Sequence, residues 1–312
     1  MKIVITGALG HIGSKLLREL PFTFPTAKIV LIDNLLTQRY ASLFNLPKEG
    51  DYQFIEADIL NYDLNSLFDN AEAVIHLAAI TNAESSFEKQ KEVELVNYVG
   101  TKKVAKACIN TGSKLIFLST TSVYGTQNNI IDENCSKSDY KPQSPYAESK
   151  LKAEYLLQKK GEENRFDFII CRFGTICGIS PGMRFHTSIN KFCWQAVTKV
   201  PLTVWNNALN QKRPYLNLKD ATNAITFILQ NNIFDRQIYN VLTENLTVND
   251  VINKIRKHIQ NLKIEFIDSK IMNQLSYEVL NNKFKRKGFH VKHSIQQGIS
   301  ETIKLLQGIK NE

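Results

Sequence analysis

Three glycines at a spacing of three, Gly7, Gly10 and Gly13, stand between a short apolar run, Lys2–Thr6, and a stretch with helical spacing that begins at His11. The run reads as a strand and the stretch as a helix, so the glycines occupy a strand-to-helix turn. Such a turn bends sharply and, lacking side chains, lets a diphosphate approach the free N–H groups at the helix start, where Ile12 also sits. Asp33 ends a second apolar run 20 residues after Gly13. A carboxylate there accepts hydrogen bonds from the ribose diol of a dinucleotide. With Asn34 beside it, Asp33 repels a 2′-phosphate, so NAD is expected rather than NADP, although Arg39 nearby is of the kind that a 2′-phosphate would use. Asp58, with Ile59, closes a third run and is placed to meet the adenine amino group.

Similar runs recur at Lys28–Ile32, Tyr52–Glu56, Ala73–Leu77, Leu115–Ser119 and Phe166–Cys171. Helix-like segments between them include His11–Leu20, Glu88–Asn110 and Tyr146–Lys160, the last two expected to end at Gly112 and Gly161. The runs are continuously apolar, as in strands buried on both faces. This alternation predicts an α/β fold, a Rossmann-type doubly wound parallel sheet, over residues 1–173. After Cys171 the regular pattern fails in a segment rich in Gly, Pro and Ser, Gly174–Gly182. A helix over Thr187–Val200 follows, then strands at Leu202–Trp205, Gln237–Val241 and Ile264–Ile267 and helices at Asp220–Gln230, Val248–Gln260 and Ser294–Leu306. These read as a smaller mixed α/β substrate-binding lobe over 174–214 and 243–312, with 215–242 expected to return to the dinucleotide domain.

A chain of 312 residues, 43% hydrophobic and 22% charged, is long and apolar enough for that core. Its net charge of +9 favours anionic partners. The charges are scattered, however, and the densest group, Lys283, Lys285, Arg286 and Lys287, reads as a solvated helix end, so nucleic acid is not an expected partner. No apolar stretch reaches the roughly 18 residues of a membrane span, and the first strand begins at Lys2 without room for a leader. A cytoplasmic protein is therefore expected. Cys108, Cys135, Cys171, Cys177 and Cys193 form no C-x-x-C pair and have no ligand spacing with His, so they are expected to be reduced packing residues, without a metal site.

Tyr146 and Lys150, four apart on a helix that starts just after Pro145, share one face, where the ammonium favours the phenolate. A free phenol, with pKa ~10, is a weak base at neutral pH. General-base chemistry therefore calls for a neighbouring cation and a positive nicotinamide. The strand-end hydroxyls Ser119, Thr120, Thr121 and Ser122 complete the constellation.

In these residues the chain resembles the extended short-chain dehydrogenases/reductases of the NAD-dependent nucleotide-sugar epimerase/dehydratase family, UDP-glucose 4-epimerase-like enzymes among them. The resemblance also rests on Leu31-Ile32-Asp33-Asn34-Leu35, His76-Leu77-Ala78-Ala79, Asn97 with Gly100-Thr101, Val123-Tyr124-Gly125, Pro142-Gln143-Ser144-Pro145-Tyr146, Arg213 and Tyr239-Asn240-Val241. It implies that Thr120 hydrogen-bonds the reacting sugar oxygen, that Tyr146 is the general base, and that Lys150 binds the nicotinamide ribose and assists the tyrosine. It places Leu77, Ala78, Ala79 and Asn97 with the cofactor, Asn97 where the family holds its active-site helix. Arg213 and Asn190 are implied for the nucleotide diphosphate of the substrate, with Thr175 where many relatives carry Asn. A second diphosphate-binding Arg is not evident around Leu275–Glu278, and Arg184, in an atypical Ser180–Phe185 segment, is the candidate to replace it. A homodimer through Glu88–Asn110 and Tyr146–Lys160 is also implied, with Val96, Val104, Leu151 and Tyr155 as candidate contacts.

Members of that family begin by oxidising a sugar hydroxyl. Its 4,6-dehydratases carry an Asp-Glu pair after the strand-end Thr, and decarboxylating relatives carry Glu at the position of Ser122. Here the pair is Thr121 and Ser122, neither of which titrates near neutrality. The expected reaction is therefore 4-epimerisation through a transient 4-keto intermediate. A reductase or dehydrogenase of the same family is the alternative, a 4,6-dehydratase less so. An NAD-sensing binding protein is the non-enzymatic alternative, but it has no need of Thr120, Tyr146 and Lys150 together.

Overall fold

The computed structural model describes residues 1–125, 130–164, 166–268 and 276–309. The elements run β1 (Lys2–Thr6), α1 (His11–Thr23), β2 (Lys28–Asp33), β3 (Asp51–Glu56), α2 (Leu64–Phe68), β4 (Ala73–His76), α3 (Gln90–Val93), α4 (Gly100–Thr111), β5 (Lys114–Thr120), β6 (Ile130–Ile131), α5 (Pro145–Asn164) and β7 (Phe168–Phe173). They continue with β8 (Thr175–Cys177), α6 (Ser188–Val197), β9 (Leu202–Trp205), β10 (Lys212–Asn217), α7 (Leu218–Gln230), β11 (Ile238–Val241), β12 (Glu244–Thr247), α8 (Val248–Arg256), β13 (Ile264–Ile267), β14 (Glu278–Val279), α9 (Asn282–Arg286) and α10 (Ile295–Leu306).

Seven strands form one parallel sheet in the order β11-β7-β5-β4-β1-β2-β3. Successive strand residues point to opposite faces. Ile3 and Ile5 therefore pack with Leu16 and Leu17 of α1 and Ile225 and Ile228 of α7. Val4 packs on the other face with Phe68 of α2, Val104 of α4 and Leu157 of α5. Helices on both faces explain why the inner strands are apolar, whereas β3, expected to be a buried strand, lies at the sheet edge and is only partly buried. The chain direction across the sheet reverses beside β1, which pairs with β2 on one side and β4 on the other, and this opens a crevice at their carboxyl ends.

The second core joins α6, α8 and α10 to short sheets, β12-β10-β8 and β13-β9. β8, β10 and β12 were not anticipated: they are three to six residues long and lie in polar or Gly-rich sequence. The strand at the end of 215–242 pairs with β7 as the outermost strand of the large sheet.

Several helices differ from their predicted extents, α1 running on to Thr23, α6 stopping at Val197 and α8 at Arg256, and two of the differences have a clear cause. α5 passes through Gly161 and ends at Asn164. A Cβ at Gly161 would lie 2.6 Å from the Phe168 ring, so this glycine allows the helix to pack closely on β7 rather than ending it. The Glu88–Asn110 stretch is α3 and α4 joined by a π-helical segment, Glu94–Val99, and it ends as expected at Gly112, left-handed at φ 70°. Two expected dimer contacts face inward: Val104 is 0% and Leu151 8% exposed, whereas Tyr155 is 39% exposed.

Candidate active site

β1 delivers the glycine turn to the crevice. Gly7 is left-handed at φ 67°, and a Cβ on it would lie 2.6 Å from Ala78 N, so the turn is pressed onto the segment following β4. A Cβ on Gly13 would lie 2.4 Å from Ala8 O, which keeps α1 against the turn. Gly10 is the N-cap of α1 and provides no side-chain cap. The start of the helix dipole is thus left open for an anion. At the lip, Asp33 accepts hydrogen bonds from Leu9 N and Leu35 N, both 3.0 Å. Asp58 accepts from Leu60 N at 2.8 Å and from Asn34 Nδ2 at 3.1 Å. Ile59 lies against Gly100. An uncapped helix start, a cradle without side chains and a carboxylate at the lip fit an adenine dinucleotide.

The crevice opens into a cavity of about 610 Å³ lined by Ile12, Leu77, Ala79, Thr120, Tyr146 and Lys150 and, from the second lobe, by Thr175, Arg184 and Arg213. This is an ordinary size for a small-molecule site. β5 ends at Thr120, whose Oγ1 accepts from Ser122 N at 3.1 Å and hydrogen-bonds the Tyr146 phenol. Burial raises the phenol above its ordinary value, while the Arg184 guanidinium and the Thr120 hydrogen bond pull it down. The cation whose field reaches the phenol is therefore Arg184, from a segment remote in sequence.

Lys150 is 3% exposed and its Nζ donates to Leu118 O at 2.8 Å, 4.7 Å from the Phe117 ring centre. Burial pushes its amine down to about 7, opposed by the Glu154 carboxylate one turn further along α5. Glu154 takes a hydrogen bond from Ser119 Oγ and binds Arg172 through Nε and Nη2, at 3.0 and 2.5 Å. The trace of this pair in the sequence is Glu154 at four residues from Lys150. The clamp fastens α5, which carries Tyr146 and Lys150, to the ends of β5 and β7 beside Thr120.

Asn97 lies within the π-helical segment, fully buried, where its amide binds Ile80 N and O and donates to Ser149 Oγ at 3.0 Å. Those contacts tie the segment after β4 to α5. Asn190, expected to face the substrate, is 0% exposed; it accepts from Gly178 N and donates to Arg184 O at 2.9 Å. Its amide is thus taken up in shaping the 178–184 segment, and Asn190 is not among the residues that line the cavity. Arg213 lines it from β10, with Nη1 donating to Lys212 O at 2.9 Å, Nη2 to Gln211 Oε1 at 3.0 Å and the guanidinium 5.3 Å from the Tyr277 ring centre. Lining residues with no motif to announce them are Thr81, Glu84, His186, Lys191, Gln211 and Tyr277. Among the described lining residues Glu84 is the sole carboxylate, and it is exposed.

Comparison with known proteins agrees with this geometry. Residues 3–241 match the model of the NAD dependent epimerase/dehydratase family. A trifunctional UDP-glucose 4,6-dehydratase/UDP-4-keto-6-deoxy-D-glucose 3,5-epimerase/UDP-4-keto-L-rhamnose-reductase of Arabidopsis thaliana is 29% identical over 312 residues, 96% of this chain and 46% of that protein. The chain thus spans about half the length of this relative. An uncharacterized UDP-glucose epimerase of Bacillus subtilis is 32% identical over 238 residues, 73% of this chain and 72% of that protein. The crystal structure of UDP-glucuronic acid 4-epimerase from Bacillus cereus with UDP-glucuronic acid and NAD superposes with a TM-score of 0.86 at 26% identity, over 99% of both chains. With the glycine turn, the lip carboxylate and the Thr120-Tyr146-Lys150 set in one crevice, the chain belongs to the NAD-dependent epimerase/dehydratase family.

Proposed function

We propose that this protein is a nucleotide-sugar 4-epimerase that works through a transient 4-keto sugar. The observation that carries this reading is the make-up of the cavity wall after β5: Thr121 and Ser122 line it directly after Thr120, and neither is an acid or base for removing a second proton or expelling a hydroxyl. The remaining groups perform one reversible oxidation. The Thr120 hydroxyl hydrogen-bonds the reacting oxygen, and the Tyr146 phenolate accepts the hydroxyl proton and later returns it. The Lys150 amine, held by Leu118 O, is the polar anchor on the same face of α5. NAD, held by the glycine turn and Asp33, would supply the hydride acceptor and donor for the sugar carbon and a positive charge that favours the phenolate. Return to the opposite face of the ring inverts the stereocentre once the keto sugar has turned in the cavity.

Arg213 is the proposed anchor of the nucleotide diphosphate, since a guanidinium forks onto phosphate oxygens. The solved Bacillus cereus relative, a 4-epimerase, supports the reading, while the Arabidopsis relative makes dehydration and reduction the alternatives to test. A homodimer is proposed through α5 and the neighbouring π-helical segment, where Tyr155 and Leu95 are 39% and 48% exposed. Sedimentation showing only monomer at micromolar concentration overturns the dimer.

The decisive experiment incubates purified protein with UDP-glucose, UDP-glucuronic acid and dTDP-glucose, with and without added NAD, and follows the anomeric protons by NMR. An epimerase yields a two-way mixture with no net change in cofactor absorbance. A stoichiometric absorbance change, or a stable 4-keto-6-deoxy product, refutes the proposal.

A further inference from the structure

Segment 178–184, between β8 and α6, is fastened to the glycine turn. His11 Nε2 donates to Gly178 O at 2.8 Å, Ser180 Oγ donates to His11 O at 2.9 Å, and Gly182 N donates to Ser14 Oγ at 2.9 Å. Gly182 is pressed so closely onto the turn that a Cβ there would lie 2.2 Å from Leu9 O and 2.6 Å from Gly10 O. From this anchorage the segment reaches across to the far side of the crevice, where Arg184 Nη1 donates to Thr81 Oγ1. Asn190 holds the Arg184 carbonyl at 2.9 Å. The Arg184 Nε is buried and has no hydrogen-bond partner among the described residues.

A second guanidinium, that of Arg39, stands over the turn, its Nη1 3.9 Å from where a Gly10 Cβ would be. Arg39 and Arg184 lie within each other's field; among the described residues no carboxylate acts on Arg184, while the Asp33 carboxylate partly offsets Arg39. The nearby imidazoles add no charge at neutral pH, because burial and Arg184 hold His11 down at about 3 and His186 at about 4. Two cations facing an uncapped helix start, one of them with an orphaned N–H, call for a ligand with more than one negative charge.

We propose that segment 178–184 is the outer wall of the cofactor groove and that Arg184, together with Arg39, binds the diphosphate of NAD. The substrate's own diphosphate has a separate cation in Arg213. Closing the groove from the second lobe holds the dinucleotide against the glycine turn. This inference rests on NAD as the family's cofactor and stands whichever sugar reaction the site performs.

Calorimetric titration of the full-length protein with NAD, and separately with UDP at saturating NAD, tests the assignment for Arg184→Gln and Arg184→Lys. Arg184→Gln is expected to weaken NAD binding at least about tenfold, as loss of a charge-assisted phosphate contact does. It should also flatten the salt dependence of that binding and leave UDP binding within about threefold. Arg184→Lys keeps the charge and is expected to recover most of the loss. Gly182→Ala, which pushes the wall outward with every charge retained, is expected to speed NAD release at least about tenfold by the same loss of contact, and it provides the reading if Arg184→Gln does not fold. Unchanged NAD binding in Arg184→Gln overturns the proposal. So does a loss confined to UDP, which would assign the guanidinium to the substrate, or an equal loss for both ligands.

Discussion

The clamp behind the active site makes a quantitative expectation. Glu154 and Arg172 are each 1% exposed, joined through Nε at 3.0 Å and Nη2 at 2.5 Å. The Arg172 guanidinium also lies 4.8 and 4.7 Å from the rings of Tyr124 and Tyr140. Glu154→Leu would leave that guanidinium buried without a counter-charge and the Ser119 hydroxyl without its acceptor. Breaking such a buried pair from one side costs roughly 3–5 kcal/mol. At about 2–4 °C per kcal/mol for a large domain, that is a fall in Tm of roughly 6–20 °C. Arg172→Met strands the carboxylate instead, at a similar cost, and also loses the contacts with both rings.

The double variant Glu154→Leu/Arg172→Met replaces the pair by apolar groups, which is often close to neutral, so its loss is expected to stay under about 3 kcal/mol. The coupling from the cycle is then at least about 3 kcal/mol. Urea denaturation followed by circular dichroism, with the midpoint and slope reported for each variant, measures it. Single variants that cost under about 1 kcal/mol, or a double loss equal to the sum of the singles, would refute the reasoning.

Tyr146→Phe keeps the ring and removes the proton acceptor, so turnover should fall at least about a hundredfold while NAD still binds; near-normal turnover removes Tyr146 from the mechanism. Gly13→Ala puts a Cβ 2.4 Å from Ala8 O, and should displace α1 from the turn, lowering both Tm and NAD affinity; wild-type values for both would contradict the packing. Burial depresses His11 and His76 to about 3, whereas each binds a proton near 6.5 once unfolded. The stability that these neutral imidazoles retain above pH ~6.5 is therefore lost on acidification, at about 1.4 kcal/mol per pH unit for each, until the folded values are reached. Urea midpoints between pH 7 and 4.5 check this; a His76→Asn variant with the same acid slope as wild type counts against it.

The parts of the molecule that were legible in advance are those whose physics is local. The strand-turn-helix around Gly7, Gly10 and Gly13, the carboxylate of Asp33 and the four-residue spacing of Tyr146 and Lys150 need only backbone geometry to be read. Misreadings came where a neighbour distant in the chain decided the matter. Gly161 has the look of a helix terminator, but the Phe168 ring above it makes it a packing glycine. Asn190 has the look of a ligand residue, but the return of the 178–184 segment uses its amide. Short strands such as β8 and β12 are fixed by their pairing with β10, which lies between them.

Taken alone, the sequence determined the doubly wound sheet, the dinucleotide turn and the set Thr120, Tyr146 and Lys150. Apolar periodicity and residue spacing act over a few residues and leave few alternatives. Only the tertiary structure decided that Arg184 is the cation whose field reaches the Tyr146 phenol, that Glu154 and Arg172 clamp α5 to two strands, and that segment 178–184 covers the glycine turn. Burial and electrostatic fields depend on distance in space, and the fold brings together groups far apart in the chain, such as Ser180 Oγ and the His11 carbonyl at a separation of 169 positions.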